Sequence, residues 1–455
     1  MSRTVDVAVV GGGIAGLAAA RVLHARGASF LVLEGGPRFG GLIRTEEAEG
    51  FLLEGGPDAI LASKPEGVAL CAEVGLAGEL VPTSATHRTV WLRWRGRLHP
   101  LPEGMVLGVP TRLAPLLRSP LFSWPGKARL ALERFVPARA AGAEDESLAA
   151  FVRRRLGGEA LERVGQPLLA GIHGGEASAL SARANFPRLV ELERTHGSLT
   201  RGLSRGAVTS SFCSLRRGLG TLVEAVVASL PSAALRAGAL VKAVSRGAEG
   251  FLLEVDGGAP VRAGAVVLAV PAPRAAPVLA GACPEGAAVL GALRFASTAT
   301  VLLGYARDQV GHALDGYGFV SAAGEGRLTA ATFLSTKLPG RAPAGHVLLR
   351  AFVGGMADPG ALDLDDGALA ALAAAELGPL LGLRGRPVLT RVNRWPSAMP
   401  QMEVGHQGRV AALERSLAGV PGLVVTGSGL RGTGIPDTVA DARRAAEAAL
   451  VSLRA

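Results

Sequence analysis

Apolar runs punctuated by glycine turns dominate both ends of the chain, while helical periodicity dominates its middle. Val5–Val10 reads as a parallel strand buried on both faces, followed by a helical pattern to about Ala25 and a second apolar run, Phe30–Leu33. Gly50–Pro57 reads as a strand ending in a glycine turn, Pro65–Val74 as a helix and Val81–Leu98 as a hairpin. The second half of that hairpin alternates Arg88, Val90, Leu92 and Trp94 with Trp91, Arg93 and Arg95, as a solvated edge strand would. An arginine of this series reaching inward would instead clamp a carboxylate. Short helices are expected from His99 to Pro137, and more over residues 146–203. Strands return at Ala239–Val244, in a hairpin of Phe251–Val255 with Val261–Arg262, and at Ala265–Pro271, after a helix at Leu222–Leu230. Residues 290–400 alternate strands (Thr298–Tyr305, Gly318–Ser321, His346–Val353) with a helix at Asp366–Leu381. A strand at Leu423–Gly429 and a helix at Thr438–Leu453 close the chain.

The first strand runs into Gly11-Gly12-Gly13-Ile14-Ala15-Gly16, a G-x-G-x-x-G sequence. The first glycine makes a tight turn, the second lets a pyrophosphate approach the backbone, and the third lets helix pack on strand. Such a motif alone is weak in a chain with 63 glycines. Here strand, turn, helix and second strand occur in register, and the second strand ends in Glu34, placed to accept both ribose hydroxyls of an adenosine. Arg38-Phe39-Gly40-Gly41 and Arg44 follow. This R-x-G-G pattern resembles the signature of flavoproteins related to amine oxidases and phytoene desaturases, and the resemblance implies FAD rather than NAD.

At 455 residues, two or three domains are expected. The net charge of +10 comes mainly from arginine, which suits carboxylates, phosphates or an anionic membrane face; G+C-rich coding explains it equally well. Aromatics make up only 4% of residues and are not interleaved with basic clusters, so nucleic-acid binding is not expected. Cys71, Cys213 and Cys283 are widely separated and read as reduced thiols of a cytoplasmic protein. The eight histidines lack paired spacing, so no metal is expected. Neither a signal peptide nor a membrane-spanning run of ~18 apolar residues is expected. In the 99–137 stretch, Leu113, Leu116, Leu117, Leu121, Phe122 and Trp124 beside Arg112, Arg118, Lys127 and Arg129 fit an amphipathic surface for weak, peripheral docking on the cytoplasmic membrane. An ordinary helical subdomain with a polar exterior fits as well.

The order of segments resembles the protoporphyrinogen/coproporphyrinogen oxidase family of haem biosynthesis over essentially the whole chain. Four middle segments carry the likeness: L-P-E-G-x-V-L-G-V-P-T at 101–111, S-L-A-A-F-x-R-R-R-L-G at 147–157, Q-P-L-L-A-G-I-H-G-G at 166–175 and N-F-P-R-L-V-E-L-E-R-T-H-G-S-L at 185–199. Met399-Pro400-Gln401 with Gly405-His406 matches a fifth, with Met402 in place of its aromatic. The implied fold is α/β, with a discontinuous Rossmann-like FAD-binding domain (1–65, 205–280, 405–455), a sheet-based substrate domain (66–98, 281–404) and a helical, membrane-associating subdomain (99–204). The implied reaction is the six-electron oxidation of protoporphyrinogen IX or coproporphyrinogen III to the porphyrin. Flavin takes hydride equivalents, and dioxygen reoxidises it to give hydrogen peroxide. No general base is expected, since flavin carries the chemistry. A carotenoid desaturase or amine oxidase on the same scaffold is the alternative, with a non-catalytic flavin-binding module behind it. A homodimer stays open.

FAD contacts are expected at Gly11, Gly13, Ile14, Ala15, Gly16, Glu34 and Gly35, then at Arg38, Gly40, Gly41, Leu42 and Arg44. The turn of Gly55, Gly56, Pro57 and Asp58 is expected beneath the isoalloxazine, with Val241 at the adenine. Further contacts are expected at Ala269, Gly427, Gly434, Ile435 and Pro436. For the substrate, the resemblance implies the Gly171 carbonyl facing a pyrrole N–H, Tyr317 and Val320 sandwiching the rings, and Phe352 as an apolar wall. His173 stands where the family usually has an aromatic, and reads as a wall residue or a structural loop histidine. Arg88 is the best match to the propionate-binding arginine, ahead of Arg93 and Arg95. Two extra residues intervene here, a slip that leaves side chains on the same face.

Overall fold

The computed structural model describes residues 3–106, 108–140, 142, 144–205, 211–247 and 250–454. Leu107, inside the 101–111 segment, lies outside the described residues. Two seven-stranded sheets and a helical layer organise the described residues.

In the first sheet Arg3–Val10 is central, parallel to Phe30–Leu33 on one side and Val261–Leu268 on the other. Both faces are covered, which is why it carries so few polar positions. Val7 and Val9 pack with Leu17, Leu23, Val439 and Ala442 of the first and last helices. Val5, Ala8 and Val10 pack with Ala275, Leu279 and Leu290 of the helices Ala272–Leu279 and Pro284–Gly291. Val261–Leu268 is one strand, not the separate hairpin arm and strand expected from sequence. Its first half pairs antiparallel with Gly250–Val255 and its last residues pair parallel with Leu423–Val425. Gly264 within it admits Leu453, whose Cδ2 would lie 2.5 Å from a Cβ placed there.

The second sheet runs Leu389–Pro400, Phe295–Ala306, His346–Gly354, Leu328–Phe333, Gly316–Ser321, Thr89–Trp94 and Arg97–Pro100. Leu328–Phe333 and Leu389–Pro400 were not foreseen. The second is masked by Arg391, Asn393 and Arg394, and it becomes a strand only through its pairing with Phe295–Ala306. The hairpin is Thr89–Trp94 with Arg97–Pro100, turning at Arg95 and Gly96, both at positive φ. It does not begin at Val81: Leu80–Pro82 pairs with Phe212–Leu215 in a small separate sheet. Helix Pro65–Glu73, grouped on sequence with the substrate domain, instead buries Leu70 and Cys71 in the first core. Pro284–Gly291, grouped the same way, likewise belongs to the first unit.

Helix Asp366–Leu381 covers one face of the second sheet, packing Leu369, Ala373 and Leu377 on Val301, Leu349 and Phe319. The helical layer covers part of the other face, enclosing Leu92, Val320 and Ala330. This corrects the expected amphipathic surface. Leu116, Leu121 and Phe122 are core residues. Lys127 is buried with its ammonium on the Leu117 carbonyl (2.8 Å), and Arg129 donates to the carbonyls of Arg154 and Arg155. Leu113, Leu117 and Trp124 do stay exposed, together with Leu132 and Phe135. Behind them Arg155 and Glu133, both fully buried, form an ion pair. Glu133 also accepts from the Ser198 hydroxyl and the Leu199 and Thr200 N–H groups, so its carboxylate is satisfied on every side.

Candidate functional site

At the carboxyl end of the central parallel strands, three glycines bring backbone against backbone. Gly11 sits at φ +104°, and a Cβ there would lie 2.7 Å from the Ala269 carbonyl oxygen. A Cβ on Gly16 would lie 1.9 Å from the Gly11 carbonyl oxygen, so only glycine lets the helix seat on the strand. The R-x-G-G loop closes over this floor. Gly40 N–H donates to the Gly12 carbonyl (2.8 Å), and a Cβ on Gly41 would lie 3.1 Å from the Gly13 Cα. Arg38 braces the loop by donating to the carbonyls of Phe39, Gly41 and Ile43, whereas the Arg44 side chain is exposed. Helix Ile14–Ala25 starts from Gly13 and helix Ile435–Ser452 from Gly434, neither with a side-chain cap. Their first N–H groups are therefore available to an anion. The last helix begins a turn earlier than expected. Ile435 and Pro436 are its first two residues, and proline's fixed φ suits that first turn.

Glu34 ends its strand with Oε2 accepting Gly12 N–H (2.6 Å) and Oε1 accepting Gly36 N–H (2.7 Å). Each oxygen keeps a lone pair for a ribose hydroxyl. Glu34 also exchanges backbone bonds with Arg236 and Ala239, and Gly35 lies under Leu240. Val241 thus starts its strand beside the acid. Glycine floor, uncapped helix ends and acid together fit a dinucleotide such as FAD.

One turn joins this crevice to the second sheet. The Gly55 carbonyl accepts from the Thr300 hydroxyl (2.8 Å) and the Trp395 indole N–H (3.0 Å). Arg350 donates through Nη1 to the carbonyls of Glu54 (3.0 Å) and Gly56 (2.7 Å), and through Nη2 to Asp58 (2.9 Å). A Cβ on Gly55 would meet Asn393 Oδ1 at 2.6 Å, and one on Gly56 would meet the Leu42 carbonyl oxygen at 1.8 Å. Asp58, expected as an FAD contact, commits its carboxylate to Arg350 and to Lys337, whose Nζ lies 2.9 Å from both oxygens. Burial would raise its pKa, but Lys337 and then Arg350 hold it down at about 2. Glu54 is fully buried between Thr45, the Leu219 N–H and Arg341; desolvation dominates and raises its pKa. Sequence reasoning missed Thr300, Asn393, Trp395, Lys337, Arg341 and Arg350. The available signal was a lone cation in the otherwise apolar H-V-L-L-R-A-F-V-G strand.

Leu92, Val320, Ala330, Phe352, Thr300 and Asn393 are successive register partners across the second sheet, so they form one row on one face. At one end of the row, Gly171 in helix Gln166–His173 approaches so closely that a Cβ would meet Val320 Cγ1 at 2.9 Å. At the other end lies the Gly55 turn. Of the expected substrate residues, Gly171, Val320 and Phe352 are brought together here. Tyr317 differs: its hydroxyl lies 2.8 Å from the Ser84 carbonyl and 3.0 Å from the Thr83 hydroxyl, so its polar end is tied to the chain linking the two units. Arg88 is exposed just before the strand that carries Leu92. Arg93 points to the opposite face and pairs with Glu376 (2.5 Å), and Arg95 stacks on Trp94, which excludes both as inward clamps. His173 is buried at the helix end, edge-on to Phe186, with its carbonyl accepting from Gln401.

A glycine-floored dinucleotide crevice, coupled through one clamped turn to a second, mostly antiparallel sheet, defines a two-unit flavin-dependent oxidoreductase. The chain belongs to the flavin containing amine oxidoreductase family, whose model matches residues 14–450, and FAD is its cofactor. It is 35% identical to the coproporphyrinogen III oxidase of Bacillus subtilis, over 98% of both chains. It is 30% identical to the chloroplastic protoporphyrinogen oxidase 1 of Spinacia oleracea, over 94% of this chain and 81% of that one. A solved structure from Exiguobacterium sp. 255-15, assigned as a protoporphyrinogen oxidase, superposes over the full length of both chains with a TM-score of 0.88 at 31% identity.

Burial pushes the His173 pKa down to about 4 from 6.5. Between those values the folded protein binds fewer protons at this site than the unfolded chain, so stability is lost as pH falls through that window. Thermal melts from pH 7 to pH 4 should show a steeper drop in Tm for the native chain than for His173→Phe. Burial lowers the pKa of His312 and His406 too, so the difference between the two curves is the readout. Parallel curves would exclude the assignment.

Proposed function

We propose that this chain oxidises a porphyrinogen to the porphyrin in haem biosynthesis, with coproporphyrinogen III as substrate, dioxygen as acceptor and hydrogen peroxide as by-product. The observation that carries this reading is the register row from Leu92 to Asn393. Its Leu92–Ala330 end is covered by the helical layer, with Gly171 against Val320, and the half-buried Phe352 stands between that covered end and the turn at Gly55. Full-length likeness to relatives named for this activity supports it.

Bound FAD supplies a two-electron acceptor, used three times per porphyrinogen. The chain's own residues bind and orient. Gly11, Gly13, Gly16, Gly40, Gly41 and the helix start at Ile14 and Ala15 receive the pyrophosphate, and Glu34 with Gly35 receives the ribose. The segment at Val241 borders the adenine. The helix start at Gly434, Ile435 and Pro436, with Gly427 before it, receives the flavin's anionic edge. Gly55, Gly56 and Pro57 would lie under the ring, while Val320, Phe352 and Gly171 would bound the site for the macrocycle. Arg88 receives a propionate. An amine oxidase would call for an aromatic cage. Of the two tyrosines, Tyr305 is buried in the core on the far side of the second sheet, and the Tyr317 hydroxyl is occupied.

The exposed Leu113, Leu117, Trp124, Leu132 and Phe135, flanked by exposed Arg112, Arg118 and Arg134, support weak docking on an anionic membrane surface. No helix among the described residues is long and apolar enough to cross a membrane. Three buried, unbridged cysteines suit a cytoplasmic setting.

Aerobic mixing of the yellow protein with coproporphyrinogen III, and separately with protoporphyrinogen IX, should give porphyrin fluorescence and peroxide, faster with the first. FAD-loaded protein that oxidises neither refutes the reading. Arg88→Ala should raise KM several-fold more than Arg93→Ala or Arg95→Ala, with kcat little changed; equal effects would remove Arg88 from the site. In a flotation gradient with anionic vesicles, a fraction of the protein should rise with the lipid, and Trp124→Ala with Phe135→Ala should abolish this. Protein that stays at the bottom rules out docking.

A further inference from the structure

We propose that Arg350 is a positioning residue that locks the turn beneath the flavin to the wall that holds the substrate. The inference rests on the reading above, in which Gly55 and Gly56 floor the ring. Arg350 lies mid-strand in the second sheet, two residues before Phe352 and on the same face. Its side chain is only 5% exposed. A cation so deeply placed is costly unless paired, so its place in a strand with no other charge rests on the partners it finds. Its contacts run in three directions. Its Nη1 alone forks to the carbonyls of Glu54 and Gly56, on either side of Gly55. Its other nitrogen pairs with Asp58, the residue that ends the turn. Its planar face lies 4.8 Å from the centre of the Phe352 ring.

Thr300 and Trp395 hold the carbonyl between those two, so the carbonyls of three consecutive peptide planes are held from the second sheet, while the Gly55 N–H donates to the Arg44 carbonyl (2.9 Å). The nucleotide crevice contributes the chain, and the substrate sheet determines its orientation. Lys337 serves a different purpose: it touches Asp58 but no carbonyl of the turn, so it balances charge. In this reading the distance between flavin and substrate depends on this set of bonds, of which Arg350 makes the two flanking ones. Transfer of a hydride equivalent is steep in that distance, and a displacement of ~1 Å can cost on the order of a hundredfold in rate.

Lysine at position 350 keeps the pairing with Asp58 and loses the two-carbonyl fork. Arg350→Lys should therefore lower kcat by ~10-fold or more, shift the flavin absorption bands and weaken FAD binding, with Tm within a few degrees of the native protein. Lys337→Met should leave the flavin bands and kcat close to native while lowering Tm. Thr300→Val, which removes one hydroxyl at constant shape, should move kcat and the bands in the same direction as Arg350→Lys, by less. Should Arg350→Lys fail to fold, Thr300→Val decides alone. Native bands, FAD affinity and kcat in Arg350→Lys and Thr300→Val would overturn the proposal. So would Lys337→Met matching Arg350→Lys, since the charge pair rather than the fork would then be responsible. If the native protein turns over no porphyrinogen, the functional reading fails instead, while the flavin bands still report on Arg350.

Discussion

Every carbonyl from Glu54 to Gly56 ends on a side chain of the second sheet, and the relation between the two halves of the molecule hangs on that fact. The turn belongs by chain connection to the dinucleotide unit and by hydrogen bonding to its neighbour. Hydrogen bonds made by a charged donor are among the stronger ones, and these are shielded from water. The glycines at 55 and 56 are what permit the approach, because a single Cβ at either would collide with Asn393 or with the Leu42 carbonyl.

Several buried ion pairs join parts of the fold that are distant in sequence. Glu54 with Arg341 ties the turn's strand to the loop at residues 214–216, and Asp58 with Lys337 and Arg350 ties the turn to the second sheet. Glu133 with Arg155 does the same inside the helical layer. Ion pairs of this kind add little net stability over a well-packed apolar alternative, but losing one partner strands the other, which makes them effective at specifying one arrangement of the parts.

The helical layer closes one end of the sheet face and leaves an apolar, arginine-flanked edge outside. Both roles draw on the same short helices. Leu116, Leu121 and Leu130 face inward, while Leu113, Leu117 and Trp124 face outward. Lys127 turns in to bond the Leu117 carbonyl while lying 4.6 Å from the Trp124 ring centre, so it supports the outer face from behind.

The crevice was legible in the residues because its physics is local. Gly11, Gly13, Gly16 and Glu34 act through turn geometry and strand ends within a single strand–helix–strand unit, and the same holds for helix Asp366–Leu381, bounded by Asp365 and Gly382. The middle segments were legible by likeness alone, without a physical rule to place them. What the sequence could not yield was anything set by register between distant strands. Arg391, Asn393 and Arg394 conceal a strand, and Gly264 conceals the continuity of another. Arg93 stays a candidate beside Arg88 until Glu376, far along the chain, takes it. Arg350 and Asp58 are 292 positions apart, so no window of sequence contains their pairing. The residues therefore determined where a dinucleotide would bind, since that depends on neighbours in sequence. Only the tertiary structure decided how the Glu54–Asp58 turn meets the second sheet, because that meeting is made by side chains that folding alone brings together.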